Sequence, residues 1–351
     1  MRNELVKVVI WGFGAMGSGM AKMISIKTGF DIVGVCDSYE LYLGKSIYDI
    51  LKINNPQSHD VYVRDDIEAI IKEQNPDIVL LATDSFSKKA YPKIKLLIEN
   101  GCNIISTAEE MAYPYASEPD ISKLMNELAK KHRVTVLGTG VNPGMMMDLL
   151  AITLTGVMTE VKDMNISRVN SLSPFGKTVM EEQGVGFTLK DFQDKSLHNE
   201  IAGHVGFKES SNMIAHALGL SVNKFSQTMN PIITQVDRKS SYGFAKKGDV
   251  CGVDMQSIIQ LSNHTTIHMH HPQQIEPHLA GVKTGDYITI HGTPEINMSI
   301  TPEVDGGIGT IAICVNMIPH VLNSKPGLKT MIDLPVPRAI MGDVRLLIDE
   351  E

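Results

Sequence analysis

Two features of this chain could do chemistry together: a glycine-rich turn able to cradle phosphate, and adjacent glutamates where a strand ends. Val8-Val9-Ile10-Trp11-Gly12-Phe13-Gly14-Ala15-Met16-Gly17 runs an apolar strand into Gly-x-Gly-x-x-Gly, and a second apolar strand (Ile32, Val33, Val35) ends on Asp37. Each part has a physical role in a dinucleotide site. Gly12 allows a sharp turn, Gly14 lets the backbone approach a pyrophosphate, and Gly17 lets the next helix pack closely on the strand. Phe13, Ala15 and Met16 complete the turn, where free N–H groups and the positive end of the helix dipole face the phosphates. Asp37 would accept hydrogen bonds from the adenosine ribose diol and repel a 2′-phosphate. Ser38-Tyr39 supplies no arginine to neutralise one, so NAD is expected over NADP. Lys45, not far downstream, leaves room for NADP as well.

Glu109 and Glu110 follow the strand Asn103–Ser106. Consecutive residues cannot both point into one site, so one of the two is the candidate working acid. The competing structural explanation is a pair of first-turn glutamates stabilising a helix N-terminus. Thr83, Asp84, Ser85 and Thr107 close neighbouring strands, the usual place for cofactor contacts. In Gly138-Thr139-Gly140-Val141-Asn142-Pro143-Gly144, Asn142 is the side chain best suited to touch the nicotinamide carboxamide or a substrate, with Pro143 and Gly144 beside it. A domain hinge is the alternative there, and the two can coincide. Arg168 offers bidentate carboxylate binding, against the plainer reading of a salt-bridged arginine. Half of the histidines fall between His264 and His291. His268 and His270 would share one strand face, but no neighbouring Cys or acid completes a metal site; none is expected. His264 is a candidate substrate contact.

The elements that must hold these residues alternate over the first ~140 positions, the pattern of a doubly wound parallel sheet. Strands are predicted at Leu5–Trp11, Ile32–Cys36, Val61–Val63, Ile78–Thr83, Asn103–Ser106 and Val134–Leu137, with helices over Ala15–Ser25, Asp66–Lys72, Lys88–Glu99 and Asp120–Lys131. Pro92 should disturb its helix or sit in the first turn. Beyond about residue 145, helices are predicted over Met145–Leu154 and Glu209–Leu218. Strands are predicted over Val161–Val169 and over 225–233, 250–261, 265–270, 286–291 and 296–301. The expected fold is α/β: a Rossmann-type doubly wound sheet over 1–141, then an α+β domain on a mostly antiparallel sheet over 142–305. The helix predicted at Gly309–Leu322 and a proline-rich tail, about 306–351, are expected to pack back on the first domain.

At 351 residues, two domains are expected. A net charge of −8 with no basic run argues against nucleic acid or an anionic membrane as partner. No segment reaches the ~18 apolar residues of a membrane span, and the start lacks a signal-peptide core. Four scattered cysteines (Cys36, Cys102, Cys251, Cys314) read as small buried hydrophobes in a reducing cytoplasm.

Several blocks resemble the 2,4-diaminopentanoate dehydrogenase family, within the dihydrodipicolinate-reductase-like amine dehydrogenases. They are Ser106–Pro114, Gly138–Asp148, Gly203-His204-Val205-Gly206, Val315–Leu322, Pro326-Gly327-Leu328 and Asp333-Leu334-Pro335. The resemblance implies NAD(P)-linked oxidative deamination of the C4 amine of 2,4-diaminopentanoate, reversible as reductive amination of a ketone such as a 4-oxo acid. It places the catalytic glutamate at Glu109, and by analogy it implies a homodimer, with the second domain's sheet as the expected surface. Such chemistry needs a base to keep the amine neutral, a hydride acceptor near the carbon, and activated water to hydrolyse an imine. A carboxylate meets the first and third needs and attracts a cationic substrate. Other oxidoreductases are weaker matches. An imine reductase of the dihydrodipicolinate reductase type would show a His-His motif followed by an Arg/Lys and a Ser-Gly-Thr loop, neither of which is seen. A homoserine-dehydrogenase-like enzyme usually has a lysine near Glu110. An NAD(H)-sensing regulator would bind cofactor without turnover.

Overall fold

The nearly unbroken apolar runs of the N-terminal half become strands buried on both faces, as a parallel sheet between two helical layers requires. The computed structural model describes residues 2–349. The chain divides into two compact units, one holding the residues up to Met145 and again from Gly306, the other Met146–Asp305. The first unit alternates β1 (Val6–Trp11), α1 (Ala15–Ser25), β2 (Phe30–Cys36), α2 (Ile47–Leu51), β3 (Val63–Arg64), α3 (Ile67–Gln74), β4 (Ile78–Leu81), α4 (Ser87–Glu99), β5 (Asn103–Ser106), α5 (Pro119–His132) and β6 (Thr135–Gly138). Val8, Val9 and Ile10 are fully buried in β1, an interior strand between β2 and β4.

Pro92 falls inside α4 without breaking it, contrary to expectation. Lys88 and Pro92 are both exposed, so water can serve the Lys88 carbonyl that proline leaves without an N–H donor.

The second unit contains α6 (Leu149–Thr155), β7 (Glu160–Ser171), α7 (Lys177–Glu182), α8 (Leu189–Leu197), α9 (Phe207–Ala217), β8 (Val222–Ile233), β9 (Arg238–Lys239), β10 (Phe244–Ala245), β11 (Val250–Leu261), β12 (Thr266–Gln274), β13 (Gly285–Thr293) and β14 (Ile296–Ile300). Its main sheet runs β14-β13-β7-β12-β11-β8, antiparallel except for the β12–β7 pair. Alternation along β7 and β11 turns one face into a core of Met164, Ile166, Val253, Met255 and Ile259, packed with Phe207 and Ile214 of α9. The other face carries polar positions such as Asn165, Gln256 and His268. The helix expected from Met145 starts only at Leu149, where the Asp148 carboxylate accepts the Leu149 N–H and the Ser210 hydroxyl.

From Gly306 the chain rejoins the first unit as α10 (Gly306–Asn316), α11 (Ile318–Leu322) and β15 (Gly327–Lys329). Sequence periodicity suggested one helix; two form, because Pro319 at the start of α11 cannot donate back into the preceding turn. β15 adds an edge strand beside β6, giving the order β15-β6-β5-β4-β1-β2-β3, all parallel. The order reverses direction between β1 and β4, and ligands bind beside such a switch point at the strands' carboxyl ends.

Candidate functional site

The three glycines after β1 stand in different surroundings. Gly12 has φ +94°, and a Cβ there would lie 2.4 Å from the Ala82 carbonyl oxygen beyond β4 and 2.9 Å from Thr83 Cγ2. A Cβ on Gly17 would lie 1.8 Å from the Gly12 oxygen, so α1 can approach the turn only without one. Gly14 differs: its φ of −69° is open to any residue, and a Cβ would meet nothing within 4 Å. Neither backbone conformation nor packing calls for glycine at Gly14, and the open space above it is where a pyrophosphate would approach. No side chain caps α1 and no acid occupies its first turn, which leaves its N–H groups and dipole for an anion. These residues fit a dinucleotide. Gly14→Ala should therefore weaken NADH binding at least ~10-fold with Tm almost unchanged, whereas Gly17→Ala should cost stability. Titration of NADH against the fluorescence of Trp11, the single tryptophan, at the end of β1, checks the first. Unaltered affinity in Gly14→Ala would remove the phosphate reading.

At the end of β2 the Asp37 carboxylate accepts the N–H of Phe13 at 2.5 Å and of Tyr39 at 2.7 Å, fastening the glycine turn to this strand end. Phe13 is fully buried and meets Tyr42 edge-on, with Tyr39 against Tyr42 in turn. The neighbouring Arg64 is held by both oxygens of Glu73, at 2.6 and 3.0 Å. Burial, then the charge of Asp37, pushes the Cys36 thiol up to about 12, so it is inert.

Beyond β4, Asp84 is tied to Lys93 of α4 at 2.7 Å and to the Thr83 hydroxyl at 2.6 Å, while Lys93 Nζ lies 5.9 Å from the Trp11 ring centre. Burial raises the Asp84 pKa, but these two hydrogen bonds outweigh it and the carboxyl titrates below its usual value. Lys93 had no signal in the sequence. Past β5, Thr107 N–H donates to the Leu81 carbonyl, and a 3₁₀ turn spans Glu109–Ala112. Glu109 and Glu110 are half-buried there. Glu110 accepts the Ser87 N–H, and its own N–H donates to the Ser85 carbonyl at 3.2 Å. Past β6, the Val141 N–H donates to Thr310 Oγ1 of α10, and Gly144 packs on Gly140, where a Cβ would lie 2.6 Å from the backbone. Asn142 is half-buried and Pro143 buried in this compact loop. The first unit thus gathers Gly12–Gly17, Asp37, Thr83–Ser85, Thr107, Glu109, Glu110 and Asn142–Gly144 at the carboxyl ends of its strands.

In the second unit, the two substrate candidates stand in different surroundings. Arg168, 2% exposed, turns one arm of its fork to Asp286 and the other to the Val304 carbonyl at 2.5 Å. Its fork is filled by partners the sequence did not announce. His264 is exposed in the turn between β11 and β12. At ~3.3 Å per residue, β12 puts it ~25 Å from the polar residues at that strand's far end.

Those residues are the ones sequence reasoning assigned to no site: Asn170 of β7, and His271 and Gln273 of β12, point into the buried face, as Arg168 does. His271 Nδ1 lies 2.6 Å from the Arg168 carbonyl, which only accepts, so Nδ1 carries the hydrogen and Nε2 is left as an acceptor. The His204 ring stands edge-on to His271 at 4.7 Å, and Gln183 donates to the Gly203 carbonyl next to it. The side-chain oxygens of Asn170 and Gln183 and the side-chain nitrogen of Gln273 are buried without a protein partner. Such atoms cost about 1–3 kcal/mol each when left so. The available signal was polar residues at core-facing positions of alternating strands.

Burial, reinforced by Arg168, holds His204 down to about 3; burial, then His204 and Arg168, lowers His271 well below its usual value. Both are neutral in the fold, while in the unfolded chain they take protons below ~6.5. Stability is therefore complete above that pH and falls as pH drops toward 3, by up to ~1.4 kcal/mol per pH unit for each histidine. Denaturant titrations between pH 7 and 4 should show this slope, with one histidine's share missing in His204→Phe. An unchanged slope in that variant would contradict it.

The family model for the 2,4-diaminopentanoate dehydrogenase C-terminal domain matches residues 145–350. A 2,4-diaminopentanoate dehydrogenase from Acetoanaerobium sticklandii is 54% identical over 349 residues, covering 99% of this chain and 98% of that protein. Among solved structures, an amine dehydrogenase from Mycobacterium smegmatis superposes with a TM-score of 0.86 at 24% identity, covering 97% of this chain and 99% of that one. Biliverdin reductase from Synechocystis, solved with biliverdin and NADP+, reaches 0.53 at 14% identity, covering 89% and 90%. The two structural likenesses establish the Rossmann-type fold; the sequence matches go further, and by them the chain belongs to the 2,4-diaminopentanoate dehydrogenase family.

Proposed function

We propose that the protein oxidatively deaminates the C4 amine of 2,4-diaminopentanoate to 2-amino-4-oxopentanoate and ammonia, and runs in reverse as reductive amination of a 4-oxo acid. The observation that carries this is the 54% identity to a 2,4-diaminopentanoate dehydrogenase along virtually the whole chain. When bound, NAD would supply the hydride acceptor for C4; Gly12, Phe13, Gly14, Ala15, Met16 and Gly17 would hold its pyrophosphate and Asp37 its ribose, with Thr83, Asp84, Ser85, Thr107 and Asn142 toward its reactive end. The chain's own residues handle nitrogen, water and protons. Glu109 takes a proton from the C4 ammonium, because only the neutral amine has the lone pair that drives hydride out and forms the imine. Glu109 releases that proton to solvent and, as a carboxylate again, removes a proton from the water that adds to the imine carbon; it returns this proton to the nitrogen as the C–N bond breaks to release ammonia. Amine, NAD+ and water are consumed; ketone, ammonia, NADH and a proton result.

Within the second unit, the acceptors Asn170 Oδ1, Gln183 Oε1 and His271 Nε2, with the donor Gln273 Nε2, would suit an ammonium and a carboxylate. Asn142, Pro143 and Gly144 remain substrate-contact proposals from the first unit. NAD is preferred over NADP because Asp37 repels a 2′-phosphate and Arg64 is engaged by Glu73. The polar face of the second unit's sheet is the surface for a homodimer. Among the described residues no helix is long and apolar enough to cross a membrane, and the four cysteines are free and buried; a cytoplasmic location suits both.

An NADH assay tests the assignment with 2,4-diaminopentanoate, 4-aminopentanoate, homoserine and simple amines, and in reverse with 4-oxopentanoate at high ammonia. Activity is expected only with amines, or with ketone plus ammonia, rising toward alkaline pH in deamination as more amine is neutral. kcat/KM should favour NAD. Oxidation of homoserine without nitrogen release, saturable NADH binding with no turnover, or a preference for NADP would each overturn its part.

A further inference from the structure

α4 begins at Ser87 behind Phe86, a residue with no capping group, and its first turn holds no acid. Helix starts leave N–H groups that need an acceptor. Here the acceptor comes from another strand's end: Glu110 Oε2 lies 2.8 Å from the Ser87 nitrogen. The Glu110 N–H returns a bond to the Ser85 carbonyl at 3.2 Å, so side chain and backbone together hold the 3₁₀ turn against the start of α4. From below, the turn rests on β6, where a Cβ on Gly138 would lie 2.1 Å from the Met111 carbonyl oxygen.

Successive side chains of a 3₁₀ turn project about 120° apart. Fixing Glu110 on Ser87 therefore fixes the direction of Glu109. We infer that Glu110 is a positioning residue for the reaction: its clamp on the α4 N-terminus aims the Glu109 carboxylate and does no proton transfer itself. The inference rests on Glu109 being the proton-handling group.

The distinction lies in what glutamine can replace. The amide oxygen of Gln accepts the Ser87 N–H as a carboxylate does but cannot take up a proton at neutral pH. Glu110→Ala should lower kcat for deamination ~10²-fold and displace the acid limb of its pH profile, with KM for NAD unchanged. Glu110→Gln should recover most of that rate and restore the limb. Each variant's Tm and NADH affinity, by Trp11 fluorescence, establish that it is folded. Loss of activity in Glu110→Gln equal to that in Glu110→Ala would make Glu110 itself the proton carrier and overturn the inference. So would a folded Glu110→Ala with the wild-type rate and pH profile, which would reduce the clamp to a helix cap. Glu109→Gln, which leaves the clamp intact, reports separately on the underlying reading. Full activity in that variant would remove the group being positioned, and the inference with it.

Discussion

Glu109→Gln is expected to lower kcat for amine oxidation ~10²-fold or more while leaving NADH affinity nearly unchanged. Glutamine fills the same volume at the start of the 3₁₀ turn, and the Ser87–Glu110 clamp that holds this turn is untouched. What disappears is the capacity to take a proton from the ammonium and then from water. Initial rates followed by NADH absorbance give kcat, and quenching of Trp11 gives the affinity. A variant that turns over at the wild-type rate would leave the proton transfers without an agent and refute the proposed chemistry.

The second large effect concerns stability. Arg168 and Asp286 are an ion pair with 2–3% exposed side chains, and Asp286 also accepts the Val304 N–H at 2.9 Å. Arg168→Leu would strand the Asp286 charge in the interior and orphan the Val304 carbonyl. Breaking a buried pair from one side costs ~3–5 kcal/mol, roughly 6–20 °C in Tm for a unit of this size. Arg168→Leu combined with Asp286→Leu should recover a good part, since the isolated charge is then gone. Scanning calorimetry of both variants decides the matter. A single variant with unchanged Tm and only a raised substrate KM would return Arg168 to the carboxylate-receptor role its sequence context suggested.

The histidine-rich segment shows how far side-chain identity goes without placement. His268 and His270 do share a strand face, and His270 finds Asp254 at 2.7 Å. His271, one position on, points the other way into the buried cluster with His204. A one-residue step along a strand separates a solvated histidine from a buried neutral one.

By itself the sequence determined the features written in short windows. The apolar run into Gly12–Gly17, the helix after it and Asp37 after β2 specify a turn, a dipole end and an acid within a few dozen residues. Those depend on local backbone freedom and on which faces are apolar. The glutamate pair was visible for the same reason: it follows an apolar strand directly. Only the tertiary structure shows that Glu110 is engaged by Ser87, 23 residues away and on a different element. It likewise filled the fork of Arg168 with Asp286, 118 residues distant. A three-residue strand, β15, is too short to show any periodicity and exists through its pairing with β6. The polar cluster of Asn170, Gln183, His204, His271 and Gln273 comes from four separate segments. Periodicity constrains which face a residue occupies; which partner it meets there depends on how distant segments pack, and no local window contains that.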